Sequence, residues 1–124
     1  MTYPDNIIYT NDHVWFKPYE NNFILGITHF AQELLGDIVY IEIKKASEFK
    51  KSQALGSIES VKTASDIIAP ENGKIVLINS EVESSPEKIN EAPFEHWICQ
   101  VNFYNNINKA DFLSKDAYLK LIKT

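Results

Sequence analysis

Short stretches of β-branched and aromatic residues recur along this chain, at 14–17, 23–27, 37–43, 54–60, 66–69, 73–78 and 97–104, between Gly, Pro and Asn punctuation. Short strands at such close spacing predict a β-sandwich or barrel. Two of the stretches echo one another. Gly36-Asp37-Ile38-Val39-Tyr40-Ile41-Glu42 and Gly73-Lys74-Ile75-Val76-Leu77-Ile78-Asn79 agree at four of seven positions. Each copy follows an element that leaves the sheet and returns to it, residues 28–35 in the first case and a hairpin around Lys62 in the second. Two similar halves packed face to face predict a mainly β sandwich with quasi-twofold symmetry.

Helices are expected to be few and short. Thr28 can cap a turn or two over 29–35, which Gly36 can end. Ser85-Pro86 opens another, with Pro at the first helical position. Ala117, Tyr118, Leu119 and Ile122 repeat at helical spacing, so a closing helix at about 114–122 should pack on the sheet. Pro70-Glu71-Asn72-Gly73 is turn chemistry, with Gly73 able to take positive φ. Trp97, Cys99, Val101 and Phe103 alternate and predict one buried strand face, completed by Ile38, Ile41, Ile75 and Ile78 from the repeated strands. The 124 residues suit a single domain spanning 1–124.

Composition excludes several functions. The formal charge is −5 and all twelve basic residues are lysine, so arginine forks and basic runs that would grip nucleic acid are missing. A lone cysteine rules out an internal disulfide framework and suits a reducing compartment. No apolar run reaches transmembrane length, and residues 1–9 lack the charged start and apolar stretch of a signal peptide. The expected location is the cytoplasm of a bacterium, or an organelle after maturation. The chain has no nucleophile–base pair, no His/Cys cluster and no glycine-rich phosphate loop, so it is not equipped as an enzyme. His13, His29 and His96 lack close ligand spacing and suit structural or surface roles better than a metal site.

Residues 56–66, Gly-Ser-Ile-Glu-Ser-Val-Lys-Thr-Ala-Ser-Asp, carry the chemistry. They read as a strand ending at a lysine, a turn of small residues, and a second strand leaving through Asp66-Ile67-Ile68. A lysine at a turn is ordinarily a solvated charge. Lys62, however, is the only basic residue between Lys51 and Lys74, and Val61, Thr63 and Ala64 beside it carry no bulk that would block an acylating enzyme. Glu59 and Asp66 flank it at a distance, able to mark the site without sealing the amine in an ion pair. Biotin carriers set their lysine between methionines; Val61 and Thr63 stand there instead, which favours a lipoyl group.

That segment resembles the lipoyl-attachment hairpin, and the resemblance extends from about Tyr9 to Tyr118. Gly26-Ile27-Thr28-His29-Phe30-Ala31-Gln32 and Leu35-Gly36-Asp37-Ile38-Val39 are similar to the segment before the hairpin in the H proteins of the glycine cleavage system. Glu59-Ser60-Val61-Lys62 with Ala64-Ser65-Asp66 matches their attachment motif. Pro70, Gly73, Asn79, Pro86, Ile89-Asn90, Pro93 and Trp97 follow in the family's order. The resemblance implies a barrel-sandwich hybrid and lipoate bound covalently to Lys62. It implies a swinging arm that shuttles an aminomethyl group between partner enzymes. These are a pyridoxal-phosphate glycine decarboxylase, a tetrahydrofolate-dependent aminomethyltransferase and dihydrolipoamide dehydrogenase. A lipoate-protein ligase or octanoyl transferase would load the arm, and tethering would supply high effective concentration. Neither a nucleic acid nor a membrane is an implied partner.

The departures also matter. Where the family usually writes His-Glu-Trp, this chain has His13-Val14-Trp15, and valine cannot accept a hydrogen bond from a loaded arm. Asp66 matches a family position near the docked arm, and Asp12 could substitute for the missing acid. His29 stands where aspartate is common, Phe94-Glu95-His96 replaces the usual glycines, and the linker 44–51 lacks its glycine. Two further readings stay open: a lipoyl reservoir or relay that donates its lipoyl group to other apo-carriers, and an unmodified β-sandwich interaction module.

Overall fold

The computed structural model describes residues 2–45 and 47–123. Among them, the strands in chain order are β1 (Ile8–Tyr9), β2 (Val14–Tyr19), β3 (Asn22–Ile27), β4 (Ile38–Ile43), β5 (Glu48–Phe49), β6 (Ala54–Ser60), β7 (Ala64–Ile68), β8 (Gly73–Ile78) and β9 (Cys99–Phe103). They form two antiparallel sheets, a larger one in the order β1-β2-β3-β9-β8-β5 and a smaller one in the order β4-β6-β7. The helices are α1 (His29–Leu35), α2 (Ser80–Ser84), α3 (Lys88–Glu91) and α4 (Lys115–Ile122), with a 3-10 turn at Lys109–Asp111. None is long and apolar enough to cross a membrane. The fold is the expected mainly β sandwich with short helices and a closing helix; neither sheet closes into a barrel among the described residues.

One apolar cluster joins the two sheets. Phe16, Leu25, Ile75 and Val101 of the larger sheet meet Ile38, Ile41, Ile58 and Ile67 of the smaller. A second cluster lies on the far side of the larger sheet, where Tyr9, Trp15 and Ile24 are covered by Tyr118 of α4. The larger sheet is therefore buried on both faces near its centre. This explains a correction to the expected alternation. Ile98, Cys99, Gln100 and Val101 are buried in succession, while Trp97 stands before β9 and packs into the second cluster, away from Val101 and Phe103. Ile38, Ile41 and Ile75 are buried as expected; Ile78 and Phe103 are partly buried against the same core.

The sequence echo has a structural counterpart. β4 carries a bulge between Ile38 and Tyr40 where it pairs with β6. β8 carries one between Ile75 and Leu77 where it pairs with β9. These are equivalent positions of the two copies, one in each sheet. An extra residue resets side-chain alternation, so Ile38 and Ile41 both point inward although three positions apart, and Val39, Tyr40, Val76 and Leu77 are left outside.

Local chemistry accounts for most boundaries. The side chains of Thr28, Asn79 and Ser114 accept N–H bonds at the starts of α1, α2 and α4. The helix expected from Ser85-Pro86 is displaced: Ser85 closes α2, and α3 begins at Lys88 after a turn through Pro86 and Glu87. Gly73 is needed for a different reason from the one expected. Its φ is not positive; a Cβ there would stand 2.3 Å from the carbonyl oxygen of Asn102 on β9.

Candidate functional site

The hairpin between β6 and β7 turns at Val61 and Lys62. Both keep negative φ, so the corner needs neither glycine nor asparagine. Side-chain hydrogen bonding replaces the usual turn chemistry. The Ser60 N–H donates to the Thr63 carbonyl at 2.7 Å, the Thr63 N–H donates to Ser60 Oγ at 3.1 Å, and Ser60 Oγ–H donates back to the Thr63 carbonyl at 3.1 Å. Ser60 is buried, which protects these bonds from competition by water. A third strand pins the corner from the side: Ile38 of β4 pairs with Ser60, and the Val61 N–H donates to the Asp37 carbonyl at 3.0 Å. The backbone under Lys62 is held on two sides while its side chain is exposed.

Lys62 lies across the end of α1. Gly36, the C-cap of α1, has φ 86°, in the left-handed region that glycine tolerates. A Cβ on Gly36 would stand 3.3 Å from Lys62 Cε and 3.9 Å from Nζ. The missing side chain thus leaves a shallow cradle along the lysine stem. Among the described residues, the ion pairs are His29–Glu33, Lys88–Glu81 and Lys115–Asp5, and Lys62 takes part in none of them.

Strand register places the other expected residues. Tyr40 pairs with Glu59, Glu59 with Ala64, Glu42 with Ser57, and Ser57 with Asp66. Paired residues share a face, so Glu42, Glu59 and Asp66 form an acidic outer surface on the smaller sheet beside the lysine corner, and all three are exposed. Asp12 is elsewhere. It borders a depression with Lys51, Ser52, Pro70 and Asp111, whereas Asp66 borders one with Glu42, Lys44 and Ser57. The two aspartates do not converge on one recess. Val14 does not line an open cleft either: it is 1% exposed and belongs to the core between the sheets.

The histidines are built into the scaffold. His13, at φ 67°, sets Nδ1 2.8 Å from the Tyr118 hydroxyl, and burial lowers its basicity while Asp12 partly restores it. His29 pairs with Glu33 one turn along α1. His96 Nδ1 donates to the Ala92 carbonyl at 3.0 Å. Among the described residues, no three His, Cys, Asp or Glu side chains gather as a metal site. Cys99 is fully buried, and desolvation pushes its thiol up to about 12.

Sequence reasoning placed Lys62 at a hairpin corner, where the structure has it, but missed how it is mounted. Gly36 was legible only as a helix stop, and Ser60 only as part of a motif. The place of Gly36 under Lys62 and the pairing of Ser60 with Ile38 join segments more than twenty positions apart, which no local pattern displays.

Comparison with known proteins bears on all of this. The family model described as glycine cleavage H-protein matches residues 7–124. The glycine cleavage system H protein of Listeria monocytogenes serotype 4b is 40% identical over 124 residues, covering 98% of this chain and 99% of the relative. That of Staphylococcus carnosus is 40% identical, covering 98% of each. The crystal structure of a glycine cleavage system H protein from Mycobacterium marinum superposes with a TM-score of 0.87 at 28% identity, over 98% of this chain and all of that one.

Proposed function

The chain belongs to the glycine cleavage H-protein family, and from that premise we propose that Lys62 is the residue on which it carries lipoate. The family role is that of a non-catalytic lipoyl carrier in glycine cleavage. The single observation supporting Lys62 is its mounting: a side chain outside every ion pair of the described residues, on a corner closed by Ser60 and Thr63, over a cradle that a Cβ on Gly36 would fill. The group fits this site. Its amide would form at Nζ, which must shed a proton before it attacks an activated carboxyl, and exposure gives that proton a path to solvent. When bound, lipoate supplies a dithiolane able to take up a one-carbon amine and two electrons. The chain's own residues do the rest: Ser60 and Asp37 hold the pivot, Gly36 leaves room for the stem, and Glu42, Glu59 and Asp66 present negative charge to whatever docks.

The partners that fit this role are a pyridoxal-phosphate glycine decarboxylase, a tetrahydrofolate-dependent aminomethyltransferase, dihydrolipoamide dehydrogenase, and a lipoate-protein ligase or octanoyl transferase. Residues 1–124 would act as one carrier domain, working in the cytoplasm. Co-expression with a lipoate-protein ligase tests the attachment site. The intact mass should rise by one lipoyl amide in the wild type and not in Lys62→Arg, which keeps the charge at an exposed corner but cannot form the lysyl amide. The same increment on Lys62→Arg would refute the assignment.

The sealing of Val14 into the core favours a second reading, in which the chain relays lipoyl groups to other carriers, since no carboxylate at that position can receive a loaded arm. Reconstitution of lipoylated protein with the decarboxylase separates the two. Glycine-dependent release of carbon dioxide supports the glycine cleavage cycle, and transfer of lipoate to a second apo-carrier without it supports the relay.

A further inference from the structure

A second polar network begins at the C-terminal helix, and the carrier chemistry makes no direct use of it. Tyr118 of α4 is fully buried and stacks on Tyr9, the ring centroids 4.8 Å apart and the planes within 12° of parallel. Its hydroxyl lies 2.8 Å from His13 Nδ1 and 2.7 Å from Thr28 Oγ1. Thr28 Oγ1 in turn accepts the Ala31 N–H at 3.2 Å, the capping bond of α1. At the other end of α1, the Gly36 N–H donates to the Gln32 carbonyl, and Gln32 Nε2 donates to the Gly36 carbonyl and to Asn90 Oδ1. Asn90 occupies the free edge of β4 as a partner strand would, accepting the Ile38 N–H at 3.0 Å and donating to the Ile38 carbonyl. Between them lies Asp37, whose carbonyl receives the Val61 N–H. Hydrogen bonds and one short helix connect the Tyr118 hydroxyl to the lysine corner.

We propose that Tyr118 is a positioning residue for the carrier lysine: it anchors the Thr28 cap and so holds α1 where Gly36 and Asp37 set the corner that bears Lys62. This rests on the reading of Lys62 as the attachment site. Stacking on Tyr9 would be served equally by phenylalanine, so the buried hydroxyl is the feature to be accounted for. Its hydrogen can point either way. With His13 neutral, Tyr118 donates to Nδ1 and Thr28 donates to Tyr118. With His13 protonated, Nδ1–H donates to Tyr118, which donates to Thr28. The link to α1 therefore survives a change of charge at His13.

The test uses the full chain as wild type, Tyr118→Phe, Thr28→Val, Thr28→Ser and the Tyr118→Phe/Thr28→Val double variant. Amide hydrogen exchange is read residue by residue, and lipoyl attachment is followed with lipoate, ATP and a lipoate-protein ligase. Loss of the Tyr118–Thr28 hydrogen bond should accelerate exchange at Ala31, Gly36 and Val61 by about fivefold, with Leu25 and Val101 of the larger sheet unchanged. The KM for the carrier should rise at constant kcat. Thr28→Val, which also removes the Ala31 capping bond, should accelerate exchange at least as much as Tyr118→Phe, the double variant should fall short of the sum of the two because they share the Tyr118–Thr28 bond, and Thr28→Ser should keep wild-type values. Acceleration confined to α4, acceleration spread evenly over both sheets, or additive effects in the double variant would each overturn the proposal. If even the wild type takes no lipoate, the attachment assignment fails, while the exchange pattern still decides whether Tyr118 governs the corner.

Discussion

Gly36 meets two demands that no other residue type meets together. Its φ of 86° is costly for any side chain, and the space above it is filled by the stem of Lys62 at 3.3 Å. Gly36→Ala should lower stability by about 1–2 kcal/mol from the left-handed backbone alone and also slow lipoyl attachment, because the new methyl lifts the lysine. A denaturant midpoint and an attachment rate both equal to wild type would contradict this. Val14 offers the opposite case, a position that the resemblance sets beside a loaded arm and that the structure seals in the core. Val14→Glu buries a carboxyl group without a partner, so it should cost about 3 kcal/mol or more at pH 7, and less near pH 5 where the carboxyl can take a proton. Equal midpoints for variant and wild type at pH 7 would mean that position 14 reaches solvent. Lysine at a turn could be read from its neighbours. The enclosure of Val14 could not, because Ile27 and the strands of the opposite sheet supply it.

At the scale of elements, the strands of five or more residues were legible because each carries enough apolar side chains to mark itself. Both ends of β6 and of β8 coincide with the pattern. β1 and β5 were not, since two residues show no period, and both exist only because a neighbouring edge completes their hydrogen bonds. The phase of β9 was half right. Phe103 does meet the core, with ring centroids 5.6 Å from Phe16, 5.2 Å from Phe23 and 6.4 Å from Phe49. Phe103→Ala should therefore cost about 3 kcal/mol, the low end for a buried aromatic because the ring is only partly covered. An unchanged urea midpoint would place Phe103 outside the packed cluster. Trp97 broke the phase because burial on both faces of the larger sheet removes the alternation that strand reading depends on.

Across the whole molecule, the echo between residues 36–42 and 73–79, identical at four of seven positions, has a mechanical counterpart in the paired bulges, one in each sheet. Stability against acid is also a property of the whole. The folded state lowers the basicity of His13 by burial, so the unfolded chain, with its ordinary value near 6.5, takes up the proton first. Above about pH 6.5 His13 contributes no pH dependence. As pH falls from there toward its lower folded value, stability should decline. His13→Asn, which tolerates the same positive φ, should flatten the midpoint between pH 7 and the onset of carboxylate titration; a slope as steep as that of the wild type would assign the effect to another group. The mounting of Lys62 has a consequence of a different kind, which concerns dilution. A group on a tether is spread through the volume its anchor and arm sweep together, and that volume grows as the cube of the reach. A wandering anchor would thin the cargo at each docking station, whereas a short tether from a still one keeps it at roughly millimolar effective concentration. With the arm on Lys62 as proposed, the three hydrogen bonds between Ser60 and Thr63 would help to set how often an encounter succeeds.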